Sequence, residues 1–149
     1  MGHYKHILAA IDLTDEAPQV LEKAQEIAKD DNAKLSLITV VKPINYAYAG
    51  LDTASVTSVT TNFEKEARDF AEKKLTELSG GAKIPGDQLH VFFGPPAQVI
   101  KEQSEALGAD LIVIGSHGRH GLGMLLGSTA NGVLHGAKQD VLAVRIRED

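Results

Sequence analysis

Three glycines and two hydroxyl residues late in the chain have the types and spacing needed to hold a phosphate group. Two residues separate Gly115 from Gly118, and Gly127 comes directly before Ser128 and Thr129. Glycine lets backbone N–H groups approach an anion closely. A helix that begins at Ser128, a good N-cap residue, adds unpaired N–H donors and the positive end of its dipole. The sequence therefore predicts a phosphate-binding loop between Gly115 and Thr129.

Basic side chains lie inside the same loop. His117 and His120 have the His-x-x-His spacing that metal ions can use, but no third type of ligand follows them closely. We therefore predict no metal site and interpret both histidines as loop residues near the phosphates. Arg119 has two open interpretations, because it either pairs with a phosphate or points into solvent.

Other nucleotide and catalytic motifs do not fit. The glycines from Gly121 to Gly127 imitate a dinucleotide fingerprint, but their spacing is wrong and they follow a late strand. No Gly-x4-Gly-Lys-[Ser/Thr] sequence is present, which excludes a P-loop. The chain has no cysteine nucleophile and no serine in a Gly-x-Ser-x-Gly turn. We assign no catalytic residue from the sequence.

Composition limits the class of protein further. The 149 residues suit one domain, residues 1–149, and no apolar run reaches the roughly 18 residues of a membrane span. A net charge of −5 and only three Tyr, four Phe and no Trp argue against nucleic-acid binding. The chain has no cysteine and enters an apolar run almost at once, without a secretory signal. We expect a cytoplasmic protein with no membrane span and no nucleic-acid partner.

Five short apolar runs are typical of buried strands, and helical patterns separate them. The runs cover residues 6–12, 35–41, 88–93, 110–115 and 140–146. Alternating strands and helices indicate βαβ units and therefore a parallel sheet. We predict an α/β protein with a doubly wound, Rossmann-like sheet of five parallel strands and helices on both faces.

Capping signals and apolar spacing predict four helices. Thr14 can cap the first, and Thr61 to Glu64 fits a capping box for a second helix that ends near Leu78. Residues 43–60 are expected to form an irregular surface connection before it. A third helix follows two prolines and ends at Gly108, and the fourth begins at Ser128. The inner face of the second helix is predicted to carry Phe63, Ala67, Phe70, Ala71, Leu75 and Leu78.

Asp12 is the second candidate for site chemistry. Doubly wound sheets bind ligands at the carboxyl ends of strands where the winding reverses. Asp12 closes the first strand and Gly115 closes the fourth, so neighbouring first and fourth strands would bring this carboxylate beside the glycine loop. The alternative is that Asp12 only caps the first helix or begins a turn.

The sequence resembles the universal stress protein family along nearly its whole length. The matching segments are Ile7-Leu-Ala-Ala-Ile-Asp12, the block from Ala109 to Arg119, Gly127-Ser-Thr129 and the closing strand from Asp140 to Val144. Nucleotide-binding members carry glycine, two residues, glycine, nine residues, glycine and then Ser or Thr. This chain matches that pattern, except that eight residues separate its second glycine from its third.

The resemblance implies a sheet order of 3-2-1-4-5 and an adenine-nucleotide site. Ribose would contact Asp12, and adenine would contact the main chain of Val40 or Val41. The ligand would be ATP or AMP, with or without Mg²⁺. The full set of nucleotide-binding candidates is Ala10, Asp12, Val40, Val41, Ile114, Gly115, Gly118, Arg119, Gly127, Ser128 and Thr129.

Three functional classes remain open. The first is a stress-response regulatory protein that binds an adenine nucleotide, and we favour it. The second is a slow, Mg²⁺-dependent ATPase, which the lack of a lysine clamp and of an evident base disfavours. The third is a stress protein that acts through protein partners without nucleotide. In the strand order that the resemblance implies, the last strand lies at a sheet edge and is mostly apolar on both faces, which predicts a homodimer. The alternative is that residues 147–149 fold over this edge and shield it.

Overall fold

The computed structural model describes residues 3–14, 16–41, 53–82, 84–116 and 128–147, with residues 53–63 and 81–82 described by their backbone alone. In this part of the chain no helix is both long and apolar enough to cross a bilayer. A short 3₁₀ turn, Gly86–Gln88, precedes the strand that begins at Leu89. The main elements are β1 His6–Ala10, α1 Ala17–Asp31, β2 Lys34–Val41, α2 Thr53–Ala82, β3 Leu89–Phe93, α3 Pro96–Leu107, β4 Leu111–Gly115, α4 Ser128–Leu134 and β5 Asp140–Val144.

The sheet has the strand order β3-β2-β1-β4-β5, and every neighbouring pair is parallel. β1 lies at its centre, and all five of its residues are buried. Its side chains alternate between the two faces. Ile7 and Ala9 pack with α1, whereas Leu8 and Ala10 pack with α3 and α4. The predicted α/β fold with helices on both faces is therefore confirmed, as is the strand order.

The second helix is much longer than the sequence predicts. α2 begins at Thr53, so residues 53–60 are helical rather than irregular, and residues 43–52 lie outside the described part. The capping box at Thr61 is wrong, because that residue lies inside the helix. The Ser and Thr residues of the first turns each cost only a few tenths of a kcal/mol, and extending an existing helix is easier than nucleating one. At the other end α2 continues past Leu78 to Ala82.

Phe70 is not on the inner face of α2. Its side chain is 54% exposed, and the Lys74 ammonium lies 5.7 Å from the ring centroid. The buried stripe is narrower than predicted and passes through Ala71 and Leu75. On a helix Phe70 is rotated by about 100° from Ala71, which takes its ring off that stripe. Phe63 lies among the residues whose side chains are not described.

Two predicted strands end early, and one predicted cap is wrong. β1 ends at Ala10 rather than at Asp12, and β5 ends at Val144. The N-cap position of α1 is Glu16, without a side-chain cap hydrogen bond. Thr14 instead lies in the turn before the helix, where its carbonyl accepts the N–H of Ala17 at 3.1 Å. The early end of β1 opens the sheet at the point where a site was predicted.

Candidate functional site

A cavity opens where β1 stops before its neighbours do. Ile11 donates its N–H to the carbonyl of Ile38 at 2.8 Å, and beyond this bond the described chain leaves β2 without a partner on that side. The cavity has a volume of about 520 Å³, within the usual range for small-molecule sites. Its described lining is Ala10, Ile11, Asp12, Leu13, Thr14, Glu16, Val20, Ile38, Val40, Pro96, Ile100, Ile114, Gly115, Ser128, Thr129, Ala130 and Ile146.

Most of the predicted site residues that the structure describes line this cavity. They come from four different segments: the end of β1, the end of β2, the end of β4 and the start of α4. Gly118, Arg119 and Gly127 lie outside the described residues, as do His117 and His120. The members found in the lining are Ala10, Asp12, Val40, Ile114, Gly115, Ser128 and Thr129.

Val40 presents main-chain groups to the cavity, and Val41 does not. Successive residues of a strand direct their N–H and C=O groups alternately to the two neighbouring strands. The Val41 carbonyl accepts the N–H of Gly94 at 3.1 Å, on the β3 side. The carbonyl of Ile38 faces β1, so Val40 also faces that side, where β1 has already ended. No described residue makes a backbone hydrogen bond to Val40 there, which leaves one donor and one acceptor directed into the cavity.

The Asp12 carboxylate is exposed at the cavity and is oriented by its neighbour. The Thr14 hydroxyl donates to Asp12 Oδ1 at 2.8 Å. The same hydroxyl oxygen accepts the N–H of Glu16 at 3.4 Å, which ties this turn to the start of α1. None of the hydrogen bonds described for this part of the chain uses Oδ2 of Asp12. That oxygen can accept hydrogen bonds from a ligand hydroxyl.

The far side of the cavity is formed by the end of β4 and the start of α4. Gly115 is half-buried, and a Cβ atom at this position would lie 3.4 Å from side-chain atoms of Val20 and Ile146. Ser128 is exposed and Thr129 half-buried at the first residues of α4. These residues place two hydroxyl groups directly after the loop that the sequence predicts to bind phosphate.

Several wall residues were not predicted. Ile146 is 6% exposed and lines the cavity although it lies past the end of β5. Sequence analysis placed it inside the last strand, where its apolar character is equally expected. Pro96 and Ile100 enter from the first turns of α3, whose prolines were interpreted only as a helix start. Apolar residues that line a cavity have the same spacing in the sequence as residues of the hydrophobic core, so the sequence does not distinguish the two.

The described lining carries negative charge. Asp12 and Glu16 are its ionisable side chains, and the described part of the lining contributes no Lys, Arg or His. Likewise, no group of three His, Asp or Glu side chains that could hold a metal ion occurs among the residues the structure describes. An anionic ligand in this cavity would therefore depend on main-chain donors, on hydroxyl groups or on a cation that it brings with it.

Two histidines outside the described cavity lining have shifted pKa values. His6 begins β1, and its Nε2 lies 2.7 Å from the Ser36 hydroxyl while Nδ1 lies 3.1 Å from the Leu107 carbonyl. This pairing sets Nδ1 as the donor and Nε2 as the acceptor of a neutral ring. Burial, helped by the charge of Lys34, lowers the pKa of His6 below its ordinary value. Burial likewise lowers the pKa of His90 on β3.

Comparison with known proteins identifies the family. The model of the universal stress protein family matches residues 3–145. The chain belongs to this family. A relative from Coxiella burnetii (strain RSA 493 / Nine Mile phase I), named universal stress protein A homolog 1, is 42% identical to this universal stress protein over 146 residues. That alignment covers 98% of this chain and 99% of the relative.

Solved structures share the fold. The hypothetical protein MJ0577 superposes with a TM-score of 0.80, covering 98% of this chain and 99% of that one, at 22% identity. A universal stress protein crystallised in complex with cAMP superposes with a TM-score of 0.67 at 26% identity. That match covers 95% of this chain and 97% of the other.

Proposed function

We propose that this universal stress protein is a regulatory protein that binds an adenine nucleotide, ATP or AMP, in the cavity at the end of β1. The observation that carries the proposal is the gap beyond Ala10, where the main chain of Val40 and the carboxylate of Asp12 face the same cavity. A base needs a paired donor and acceptor, and a ribose needs an acceptor for its hydroxyl groups. The cavity offers both.

The base is assigned to the β2 side. Adenine presents an exocyclic amino donor beside a ring-nitrogen acceptor, and the free carbonyl and N–H of Val40 complement this pair. Ile38 and Val40 add apolar contact for the faces of the ring. The relative crystallised with cAMP holds an adenine nucleotide, which supports this choice of base.

The ribose and phosphates are assigned to the β1 and α4 sides. The Asp12 carboxylate, held by Thr14, would accept the ribose hydroxyl groups. The phosphates would lie toward Gly115, Ser128 and Thr129 and toward the loop that contains Gly118, Arg119 and Gly127. Because Asp12 and Glu16 make the described lining anionic, a triphosphate should bind more tightly with Mg²⁺ than without it.

Calorimetry tests the proposal. We expect ATP and AMP to bind the purified protein, ATP more tightly in Mg²⁺ than in EDTA, and GTP at least tenfold more weakly than ATP. Denaturing the purified protein and chromatographing the released small molecules shows whether it retains a nucleotide from the cell. Absence of binding by every nucleotide contradicts the proposal, and equal affinity for GTP contradicts the assignment of the base.

We also propose that the protein is a cytoplasmic homodimer paired through β5. β5 is an edge strand, and Val141, Leu142 and Ala143 are only half-buried. α4 packs beside it and leaves Leu134 43% exposed. Antiparallel pairing of two β5 strands would satisfy the outward main-chain groups and cover these side chains in one two-fold contact.

A further inference from the structure

The segment that follows β5 touches three parts of the molecule within four residues. The Val144 carbonyl accepts the N–H of Ser116 at 2.7 Å, at the entrance to the glycine loop. Ile146 forms part of the cavity wall, and its side chain would lie 3.4 Å from a Cβ atom at Gly115. Arg147 then reaches α1, where its backbone is held by a side chain, that of Gln19.

The side-chain amide of Gln19 makes two hydrogen bonds to the backbone of Arg147. Its Nε2 donates to the Arg147 carbonyl at 2.9 Å, and its Oε1 accepts the Arg147 N–H at 2.8 Å. An amide side chain that donates to a residue's carbonyl and accepts from the same residue's N–H makes the pair of hydrogen bonds that a neighbouring strand would otherwise make. The contact joins residues 128 positions apart in the chain, so it fixes where the segment goes after β5 ends.

We infer that Gln19 is a positioning residue that couples the cavity to the edge strand. It holds Ile146 as a wall of the ligand site, and by the same contact it fixes the exit of β5 at Val144. The inference rests on the proposed function and adds its regulation: a nucleotide in the cavity strengthens pairing of two copies through β5.

The coupling follows from two states of the segment 145–147. In the latched state Arg147 is paired with Gln19, Ile146 closes the cavity wall, and β5 presents a regular edge up to Val144. In the released state the wall is incomplete and the end of β5 loses its anchor. A nucleotide that contacts Ile146 favours the latched state, and so does a second copy that pairs with the full length of β5. Two ligands that favour the same state strengthen each other's binding by the same factor.

The test compares Gln19→Leu with Gln98→Leu. Gln98 is an exposed glutamine on α3 whose amide donates only locally, to Glu102 Oε1 at 2.9 Å, so its variant is the matched control. The dimer dissociation constant of each protein is measured by sedimentation equilibrium with and without saturating Mg-ATP. We expect ATP to tighten the wild-type and Gln98→Leu dimers at least fivefold and the Gln19→Leu dimer less than twofold. A purely structural role for Gln19 would lower stability but leave this ratio unchanged.

Amide hydrogen exchange of the nucleotide-free proteins, followed by NMR, tests the Gln19–Arg147 hydrogen bonds separately from ligand binding. The Arg147 amide should exchange at least tenfold faster in Gln19→Leu than in the wild type and at an unchanged rate in Gln98→Leu. If ATP binds and the dimer forms but Gln19→Leu keeps the wild-type ratio, the coupling is wrong while the proposed function stands. A wild type that binds no nucleotide or stays monomeric defeats the coupling together with that part of the proposed function. If the Arg147 amide exchanges at the wild-type rate in Gln19→Leu, Gln19 does not hold this segment in place.

Discussion

The hydrogen bond from the Ile11 N–H to the Ile38 carbonyl, at 2.8 Å, is where the site begins. It is the last bond described between the first two strands of the chain, and Val40 lies two residues further along β2. A central strand that stops before its neighbour leaves main-chain donors and acceptors without partners, and buried groups of this kind need a ligand or water. Along β2, the N–H groups of successive residues point alternately toward β1 and β3, so Val40 faces the cavity and Thr39 faces β3.

Proline substitutions in β2 should separate ligand binding from folding. Val40→Pro removes an N–H that faces the cavity, so we expect ATP affinity to fall at least tenfold with the fold retained. Thr39→Pro is the matched control, because the Thr39 N–H faces β3 and belongs to the ladder. Its loss should lower the free energy of unfolding by about 1–3 kcal/mol. Calorimetry and urea unfolding measure the two effects, and a Val40→Pro protein with wild-type affinity would refute the assignment of the base.

Asp12 should contribute more than Thr14 to the affinity for ATP. Asp12→Ala removes the proposed acceptor for the ribose and should weaken ATP binding at least tenfold, about 1.4 kcal/mol. Thr14→Val leaves the carboxylate but removes the hydroxyl that orients it, so we expect a smaller loss of about threefold. Asp69→Ala, an exposed carboxylate on α2, is the control for the change in net charge. Equal affinities for the Asp12 and Asp69 variants would show that Asp12 does not contact the ligand.

The five strands were predictable from the apolar runs that recur along the chain, whereas their order in the sheet was implied by the resemblance to the universal stress protein family. Buried strands such as residues 111–115 read as unbroken apolar runs, and Asp12 stands out as the carboxylate that ends one. Where β1 stops inside such a run is not visible in the sequence, since Ala10 and Ile11 are equally apolar. The choice between Val40 and Val41 is likewise invisible, because it depends on the direction of main-chain groups rather than on side chains.

Long-range contacts were the least predictable part. Gln19 and Arg147 are both polar residues that a sequence assigns to solvent, and only the folded chain brings them together. The first turns of α2 were missed for the opposite reason. Ser and Thr favour turns and caps, and the local signal at Thr61 suggested a start that the longer helix overrides.

Stability should fall as the pH is lowered through about 6.5. His6 and His90 have pKa values below the ordinary 6.5, so the unfolded chain binds protons more readily than the folded one. Their contribution is fully present above that pH and is lost as the pH falls toward the lower folded pKa values, by at most about 1.4 kcal/mol per pH unit for each histidine. The Leu107 carbonyl and the Asp110 carboxylate oppose the shift of His6, whereas Lys34 and His90 reinforce it.

Urea unfolding between pH 5.5 and 7.5 measures this dependence. His90→Gln keeps a half-buried polar side chain and removes one titration, and His6→Gln removes the other. Each variant should show a shallower decrease in unfolding free energy below pH 6.5 than the wild type. An unchanged slope in both would mean that these histidines titrate alike in the folded and unfolded states.

ATP hydrolysis should be slow or absent. The described lining contains Asp12 and Glu16 but no Lys, Arg or His, and phosphoryl transfer relies on cationic groups that stabilise the transition state. We expect a turnover well below the ~1–100 s⁻¹ of kinases in a steady-state phosphate-release assay with Mg-ATP. Several turnovers per second that follow the protein through purification, and that disappear in Asp12→Ala, would identify an ATPase instead.

Proline should weaken pairing through β5 when it replaces Ala143, whereas at Val144 it should mainly lower the free energy of unfolding. The Val144 carbonyl accepts a hydrogen bond from Ser116 on the β4 side, so Val144 faces inward and Ala143 faces the open edge. Ala143→Pro therefore removes an outward N–H without breaking the ladder to β4 and should weaken the dimer at least tenfold. Val144→Pro removes a ladder donor instead and should lower the free energy of unfolding by about 1–3 kcal/mol. Sedimentation velocity at tens of micromolar, with urea unfolding of the same samples, compares the two. A wild-type monomer, or an Ala143→Pro protein that remains as dimeric as the wild type, would show that β5 is not the interface.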